Sequence, residues 1–202
     1  MRGKTYEAEL PPGYRAAFVF DAKNKKTAAV INICALLVTV VLAVLFVVIA
    51  HPFDGDGAIS TGSGEIISGI LVRYLIFMVL IFAYMILHEL THGAAYWLLT
   101  RHRLKFGMTL SVAYCGVPDI FVYRAPALIA VLAPFCVFVP VFLLPMLLLG
   151  NGIDRAIAAC MLAIHTGGCV GDIYDALLLI FKFRSPDTLV QDTGPRQTFY
   201  VK

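Results

Sequence analysis

Long apolar runs separated by short polar segments dominate the sequence. Residues 28–50 and 125–149 contain no charged side chain, and two further runs, about 69–99 and 156–181, contain a few ionisable ones. A helix needs about 20 mostly apolar residues to cross a bilayer. The pattern therefore predicts four transmembrane helices, at 28–50, 69–99, 125–149 and 156–181.

The composition agrees with a membrane protein. Hydrophobic residues make up 60% of the 202 residues and charged residues only 14%, whereas soluble domains average about 45–50% and roughly 25%. We therefore expect the lipid bilayer as a partner, and no nucleic acid. The first apolar run could be a cleaved signal peptide. However, its 27-residue polar leader is long and no A-x-A site follows it, which favours a retained helix.

The distribution of Lys and Arg predicts the orientation. The five polar segments, taken in order along the chain, hold 6, 0, 4, 1 and 4 basic residues. Because cytoplasmic loops are enriched in Lys and Arg, this alternation places both termini in the cytoplasm and the protein in the cytoplasmic (inner) membrane. The predicted parts are a loosely ordered cytoplasmic arm (1–27), a four-helix membrane domain (28–181) and a cytoplasmic tail (182–202).

The segment between the second and third runs has a different pattern. Apolar and polar or small residues alternate over 104–115, which is typical of a strand. Residues 116–119 then resemble a turn, and 120–123 a second strand. We therefore expect an all-α membrane protein with one short cytoplasmic-side β-hairpin. An edge of the hairpin could pair with an extended substrate, or its apolar face could rest on lipid.

An ionisable side chain inside a transmembrane helix is unfavourable in free energy, so its presence there indicates a function. His88, Glu89 and His92 form an H-E-x-x-H motif in the second run. Residues four apart share one face of a helix, so both imidazoles can reach one zinc ion. Glu89 lies about 100° around the helix from His88, where it can act on a water molecule.

The fourth run supplies candidates for a third zinc ligand. His165, Asp172 and Asp175 lie on one helical face. His88 and Asp172 lie about 29 Å and about 26 Å along two helices that run in the same direction, so they should meet. Asp172 is the favoured ligand and Asp175 the alternative. His165 either stabilises a developing oxyanion or binds a carbonyl in the core.

Three glycines surround this second cluster, and they allow two structures. Gly167, Gly168 and Gly171 lie within five residues. Glycine weakens a helix, so they either let helices approach closely or unwind a turn at the site.

These motifs resemble a known family. HELTHG in the second run, Leu132-Ala133-Pro134 and HTGGCVGDIYD in the fourth run resemble a bacterial family of membrane proteins described as "putative zincin peptidases", whose layout is similar to that of site-2 proteases. The resemblance implies that His88, His92 and Asp172 bind zinc and that Glu89 is the general base. His165 stands where site-2 proteases have an asparagine.

The leading hypothesis is therefore a zinc-dependent endopeptidase with one zinc ion. It would cut membrane-anchored or juxtamembrane peptides near the cytoplasmic face. One alternative is an inactive zinc-binding scaffold in the membrane, and another is a small proton- or cation-coupled transporter. The sequence sets no expectation for the oligomeric state.

Overall fold

A computed structural model describes residues 4–50, 63–108, 113–150 and 152–202. The described chain is mostly helical. The helices are α1 (Lys25–Ala50), α2 (Ser63–Thr100), α3 (Arg124–Leu148), α4 (Gly152–Gly168) and α5 (Val170–Leu177), and a π-helical turn (Leu178–Lys182) follows α5. The strands are β1 (Tyr6–Glu7), β2 (Arg15–Asp21), β3 (Lys105–Met108), β4 (Ala113–Gly116), β5 (Phe121–Tyr123), β6 (Leu189–Asp192) and β7 (Arg196–Val201).

The apolar helices match the predicted runs closely. Helices α1 and α3, and residues 69–100 of α2, are each long and apolar enough to cross a membrane, and α4 with α5 would make a fourth span if the broken pair counts as one. Apolar side chains along α1 are exposed, such as Leu36 at 62% and Val48 at 65%. Such a surface is expected to face lipid, because soluble proteins rarely expose a continuous apolar patch of this length. The four-span count and the orientation remain predictions.

The hairpin between α2 and α3 exists, but its second strand was wrongly predicted. Strand β3 pairs with β4 inside the alternating stretch, from Lys105 opposite Gly116 to Met108 opposite Ala113. Residues 120–123, the predicted partner, supply β5, which joins a different sheet. Alternation has the same period on both arms of a hairpin, so it cannot reveal where the chain reverses. Residues 109–112 lie outside the described residues.

The prediction of a loosely ordered arm was wrong, because the arm forms strands together with the tail, and the protein is not all-α. The arm and the tail supply four strands of a five-stranded antiparallel sheet with the order β1-β5-β6-β7-β2. The longest pairing, β2 with β7, joins the arm to the tail. These short strands are stabilised by partners far away in the sequence, which a local pattern does not show.

The contacts of the chain form two compact units. The first contains Met1–Cys34, His88–Pro134 and Cys169–Lys202, and the second contains Ala35–Leu87 and Phe135–Gly168. Every strand belongs to the first unit. Its core includes Tyr96, Ile120, Val122, Leu179 and Phe199. The second unit is helical, with core clusters that include Tyr84, Phe138, Met161, Met146 and Leu162.

Candidate metal centre

Two histidines one turn apart on α2 form the first half of the candidate site. The His88 and His92 side chains are both buried, and their ring centroids are 5.0 Å apart. Gly93 follows directly, and a Cβ at this position would lie 2.7 Å from the Phe106 ring of β3. Strand β3 therefore packs directly against the helix that carries both histidines.

Asp172 completes the cluster from the first turn of α5. Its Oδ2 lies 3.2 Å from His88 Nε2, and its Oδ1 lies 3.4 Å from His92 Nε2. Helix α5 begins after a break at Cys169, next to the three glycines. This new helix start places Asp172 near the positive end of the α5 dipole, where a carboxylate is favourable.

The glycines have both of the effects that the sequence left open. The fourth apolar run is interrupted between Gly168 and Val170. Within the second unit, a Cβ on Gly167 would collide with Thr39 Oγ1 and with the Ala35 carbonyl oxygen. Gly167 therefore lets α4 approach α1 closely.

A backbone carbonyl sets the orientation of His92. His92 Nδ1 lies 2.9 Å from the Ala130 carbonyl oxygen. A carbonyl only accepts hydrogen bonds, so Nδ1 must carry the proton and the neutral ring presents the Nε2 lone pair to Asp172. Zinc-binding histidines commonly use their second ring nitrogen in this way.

The geometry of the cluster fits a zinc ion. Facing lone pairs of Asp172 and His92 repel one another unless a cation or a proton lies between them. Asp172 Oδ2 is buried and meets no donor in hydrogen-bond geometry among the described residues. Adjacent ligands of a tetrahedral zinc, with bonds of about 2.0–2.1 Å, lie about 3.3 Å apart. The 3.2 and 3.4 Å separations, each to a different oxygen of Asp172, are close to this spacing. One ligand atom from each of the three residues lies within 4.8 Å of the other two.

Glu89 lies beside these three residues without being part of the cluster. Its carboxylate accepts a hydrogen bond from the backbone N–H of Cys115, in strand β4, and it interacts electrostatically with His88, His92 and Asp172. The hairpin therefore helps to orient the glutamate of the HExxH motif.

The Cys115 side chain is not suited to bind the metal. Burial raises the pKa of the Cys115 thiol to about 12. Among the described residues, no group of three or more metal-ligating side chains contains Cys115, so we assign this thiol to the packing of the hairpin.

Asp175, the alternative third ligand, is buried but lies outside the cluster. Within the described ranges, no group of three or more metal-ligating side chains contains it. Its Oδ1 is buried and has no hydrogen-bond partner there. The geometry thus favours Asp172 over Asp175 as the third ligand.

His165 lies in the second unit and is fully buried. Tyr84 Oη lies 2.9 Å from His165 Nδ1. The rings of Phe135, Phe138 and Phe142 surround the imidazole, with centroids 5.8 to 6.0 Å away. Its catalytic role stays a prediction.

Sequence reasoning missed two residues that support the site. Tyr96, one turn after His92, donates a hydrogen bond from its hydroxyl to Asp192 Oδ2 at 2.8 Å. The i, i+4 spacing from His92 could have identified Tyr96, but nothing near Asp192 in the sequence indicates a role at the site.

One comparison with known proteins identifies a family. A family profile described as "Putative zincin peptidase" matches residues 80–185, just over half of the chain, and this range contains the HExxH motif and Asp172. No curated protein matches the chain, and no solved structure does. The family match covers α3 and α5 in addition to most of the HExxH helix, and on this basis the chain belongs to the family described as "Putative zincin peptidase".

Proposed function

We propose that the protein is a zinc-dependent endopeptidase that cuts membrane-associated peptides near the cytoplasmic face. The observation that carries this proposal is the convergence of His88, His92 and Asp172 beside Glu89. Two histidines and one carboxylate are a catalytic ligand set, because they leave a fourth position open. A structural zinc site would fill that position with another side chain.

Different residues of the chain would have different roles in the proposed hydrolysis. His88, His92 and Asp172 would hold one zinc ion, and the Ala130 carbonyl would keep the His92 ring in place. A zinc ion bound there acts as a Lewis acid toward a water molecule and the scissile carbonyl. Glu89 would accept the proton of the attacking water and deliver it to the leaving amine. The Cys115 N–H holds the Glu89 carboxylate for this step.

The membrane setting indicates the class of substrate. The apolar helices support a membrane location, and the basic loops favour an inner-membrane protein with both termini in the cytoplasm. Together with the site-2 protease resemblance, this supports cleavage within or next to a membrane span.

If both termini lie in the cytoplasm, green fluorescent protein fused to either terminus should fluoresce in bacterial cells. This orientation would be contradicted if the C-terminal green fluorescent protein fusion is not fluorescent and alkaline phosphatase fused at the same position is active, because that enzyme is active only in the periplasm.

Glu89→Gln tests the proposed reaction. Wild type and variant would be reconstituted in vesicles with a set of single-span proteins, and cleavage products would be identified by mass spectrometry. Glutamine cannot accept the proton, so we expect Glu89→Gln to retain zinc and to lose about 10²–10⁴-fold in cleavage rate.

Each alternative function gives a different result. An inactive scaffold would bind zinc, and neither wild type nor Glu89→Gln would cleave any substrate. A proton- or cation-coupled transporter would contain no stoichiometric zinc. Equal cleavage rates for wild type and Glu89→Gln would contradict the assignment of Glu89 as the base.

A further inference from the structure

We infer that Asp192, in the C-terminal tail, is a positioning residue that fixes the HExxH helix α2 relative to strand β4 and so keeps Glu89 in place. The catalytic consequence rests on the proposed function, but the positioning itself can be tested separately. The family match ends at residue 185 and therefore assigns nothing to Asp192.

The first contact joins the tail to the HExxH helix. Tyr96 lies one turn after His92 and donates its hydroxyl hydrogen to Asp192 Oδ2 at 2.8 Å. Tyr96 is 2% exposed and Asp192 is 4% exposed. A buried hydrogen bond to a carboxylate is about twice as strong as one between neutral groups. The position of α2 near the histidines is therefore linked to the tail.

The second contact joins the tail to the hairpin. The Asp192 carbonyl oxygen accepts a hydrogen bond from Val117 N–H at 2.8 Å. Val117 directly follows β4, and a Cβ on Gly116 would lie only 2.8 Å from that same carbonyl oxygen. Two residues earlier than Val117, Cys115 N–H contacts the Glu89 carboxylate. Asp192 thus fixes the strand that orients Glu89.

The remaining contacts hold the Asp192 side chain in place. Oδ1 accepts hydrogen bonds from Gly194 N–H at 2.8 Å and from Gln197 Nε2 at 3.3 Å. One carboxylate oxygen therefore closes the turn between β6 and β7, while the other binds Tyr96. The two carboxylate oxygens of Asp192 thus bind different elements. A shift of α2 must therefore disturb the β6–β7 turn, and a shift of the turn must disturb α2.

Two conservative variants separate positioning from simple loss of packing. Tyr96→Phe keeps the ring but removes the hydrogen bond to Asp192. It should retain one zinc per chain and lower kcat about tenfold or more with little change in KM, because small displacements of catalytic groups are costly. Asp192→Asn retains a hydrogen-bonding side chain, since its carbonyl can bind Gly194 N–H and its amide can donate to the Tyr96 hydroxyl. Its kcat should stay within about threefold of wild type.

Hydrogen exchange gives a readout that does not depend on peptidase activity. In Tyr96→Phe, the amides of residues 113–117 should exchange faster than in wild type. Asp187→Asn is the matched control, because Asp187 lies in the same tail but is exposed and pairs with Lys202. It should alter neither exchange nor kcat.

The outcomes distinguish this inference from the proposed function. Unchanged exchange at 113–117 in Tyr96→Phe would overturn the inference, whatever the activity. Faster exchange together with a wild-type kcat would overturn the catalytic consequence of the positioning. Faster exchange in a protein whose wild type binds zinc but cleaves nothing would support the positioning and overturn the proposed peptidase function instead.

Discussion

At the scale of single residues, the site depends on which atoms the histidines and carboxylates present to one another. The Ala130 carbonyl determines that His92 presents Nε2, and Asp172 directs one oxygen toward each histidine. The HExxH spacing predicts the shared face of His88 and His92, because it follows from helix geometry alone. The spacing cannot identify Ala130, since a backbone carbonyl has no sequence signature.

His165 provides a prediction at this scale. If its imidazole stabilises a developing oxyanion, His165→Ala should keep zinc and lower kcat about 10²-fold or more. Tyr84→Phe, which removes the hydroxyl near Nδ1, should cause a smaller loss. Steady-state cleavage kinetics check both variants. His102→Ala is the control, because the His102 ring packs against Tyr6 in the first unit. A wild-type kcat for a folded, zinc-loaded His165→Ala would make His165 a core residue.

The Asp192 carboxyl should make stability depend on pH. Burial raises its pKa to about 6, although hydrogen bonds from Gly194 N–H and Tyr96 and the charge of His92 act in the opposite direction. The folded zinc-free protein then binds this proton more tightly than the unfolded chain, whose Asp pKa is about 3.9. The stabilising contribution of the proton is complete below about pH 4 and is lost as the pH rises through about 6.

Thermal unfolding of the zinc-free protein in detergent measures this effect. The Tm difference between wild type and Asp192→Asn should change between about pH 4 and 6 and be constant above about 6.5. A difference that is the same at every pH would contradict a raised Asp192 pKa.

At the scale of elements, the hairpin and the tail meet by close backbone contact. A Cβ on Gly116 would collide with the Gly194 backbone nitrogen and lie 2.8 Å from the Asp192 carbonyl oxygen. Backbone atoms cannot move aside as the end of a flexible side chain can. Glycine at position 116 is thus required by the fit between β4 and the β6–β7 turn.

Gly116→Ala should therefore destabilise the protein strongly, by about 2 kcal/mol or more, because overpacking typically costs 1–3 kcal/mol. A clear fall in Tm in detergent is the expected result. Gly150→Ala is the control, because a Cβ there meets no atom within 4 Å. Equal Tm values for the two variants would show that the turn adapts and that this contact is not tight.

The elements also show what a sequence can predict. The apolar runs identify α1, α2 and α3 because a helix of about 20 apolar residues is a local property. The three glycines before Asp172 indicate either a close helix contact or an unwound turn, and the sequence alone does not decide between them. The pairing of β2 with β7 and the contact between Tyr96 and Asp192 join residues more than 90 positions apart. No local pattern encodes such pairings, so the sheet and the supporting carboxylate could not be predicted.

At the scale of the whole molecule, the chain combines apolar helices with a small sheet in which the arm and the tail supply four of the five strands. The sheet and the histidine–aspartate cluster both belong to the first compact unit. The arm and the tail therefore belong to the same unit as the histidine–aspartate cluster. We propose that this unit binds one zinc ion through His88, His92 and Asp172.

Plasma mass spectrometry of the detergent-purified protein measures the number of zinc ions per chain. Wild type should contain one zinc ion, and His88→Ala and Asp172→Ala should contain almost none. Asp175→Ala, the matched carboxylate one turn away, should retain it. A wild type without zinc after loading would contradict this zinc site. Zinc that is lost in Asp175→Ala but retained in Asp172→Ala would contradict the assignment of Asp172 as a ligand.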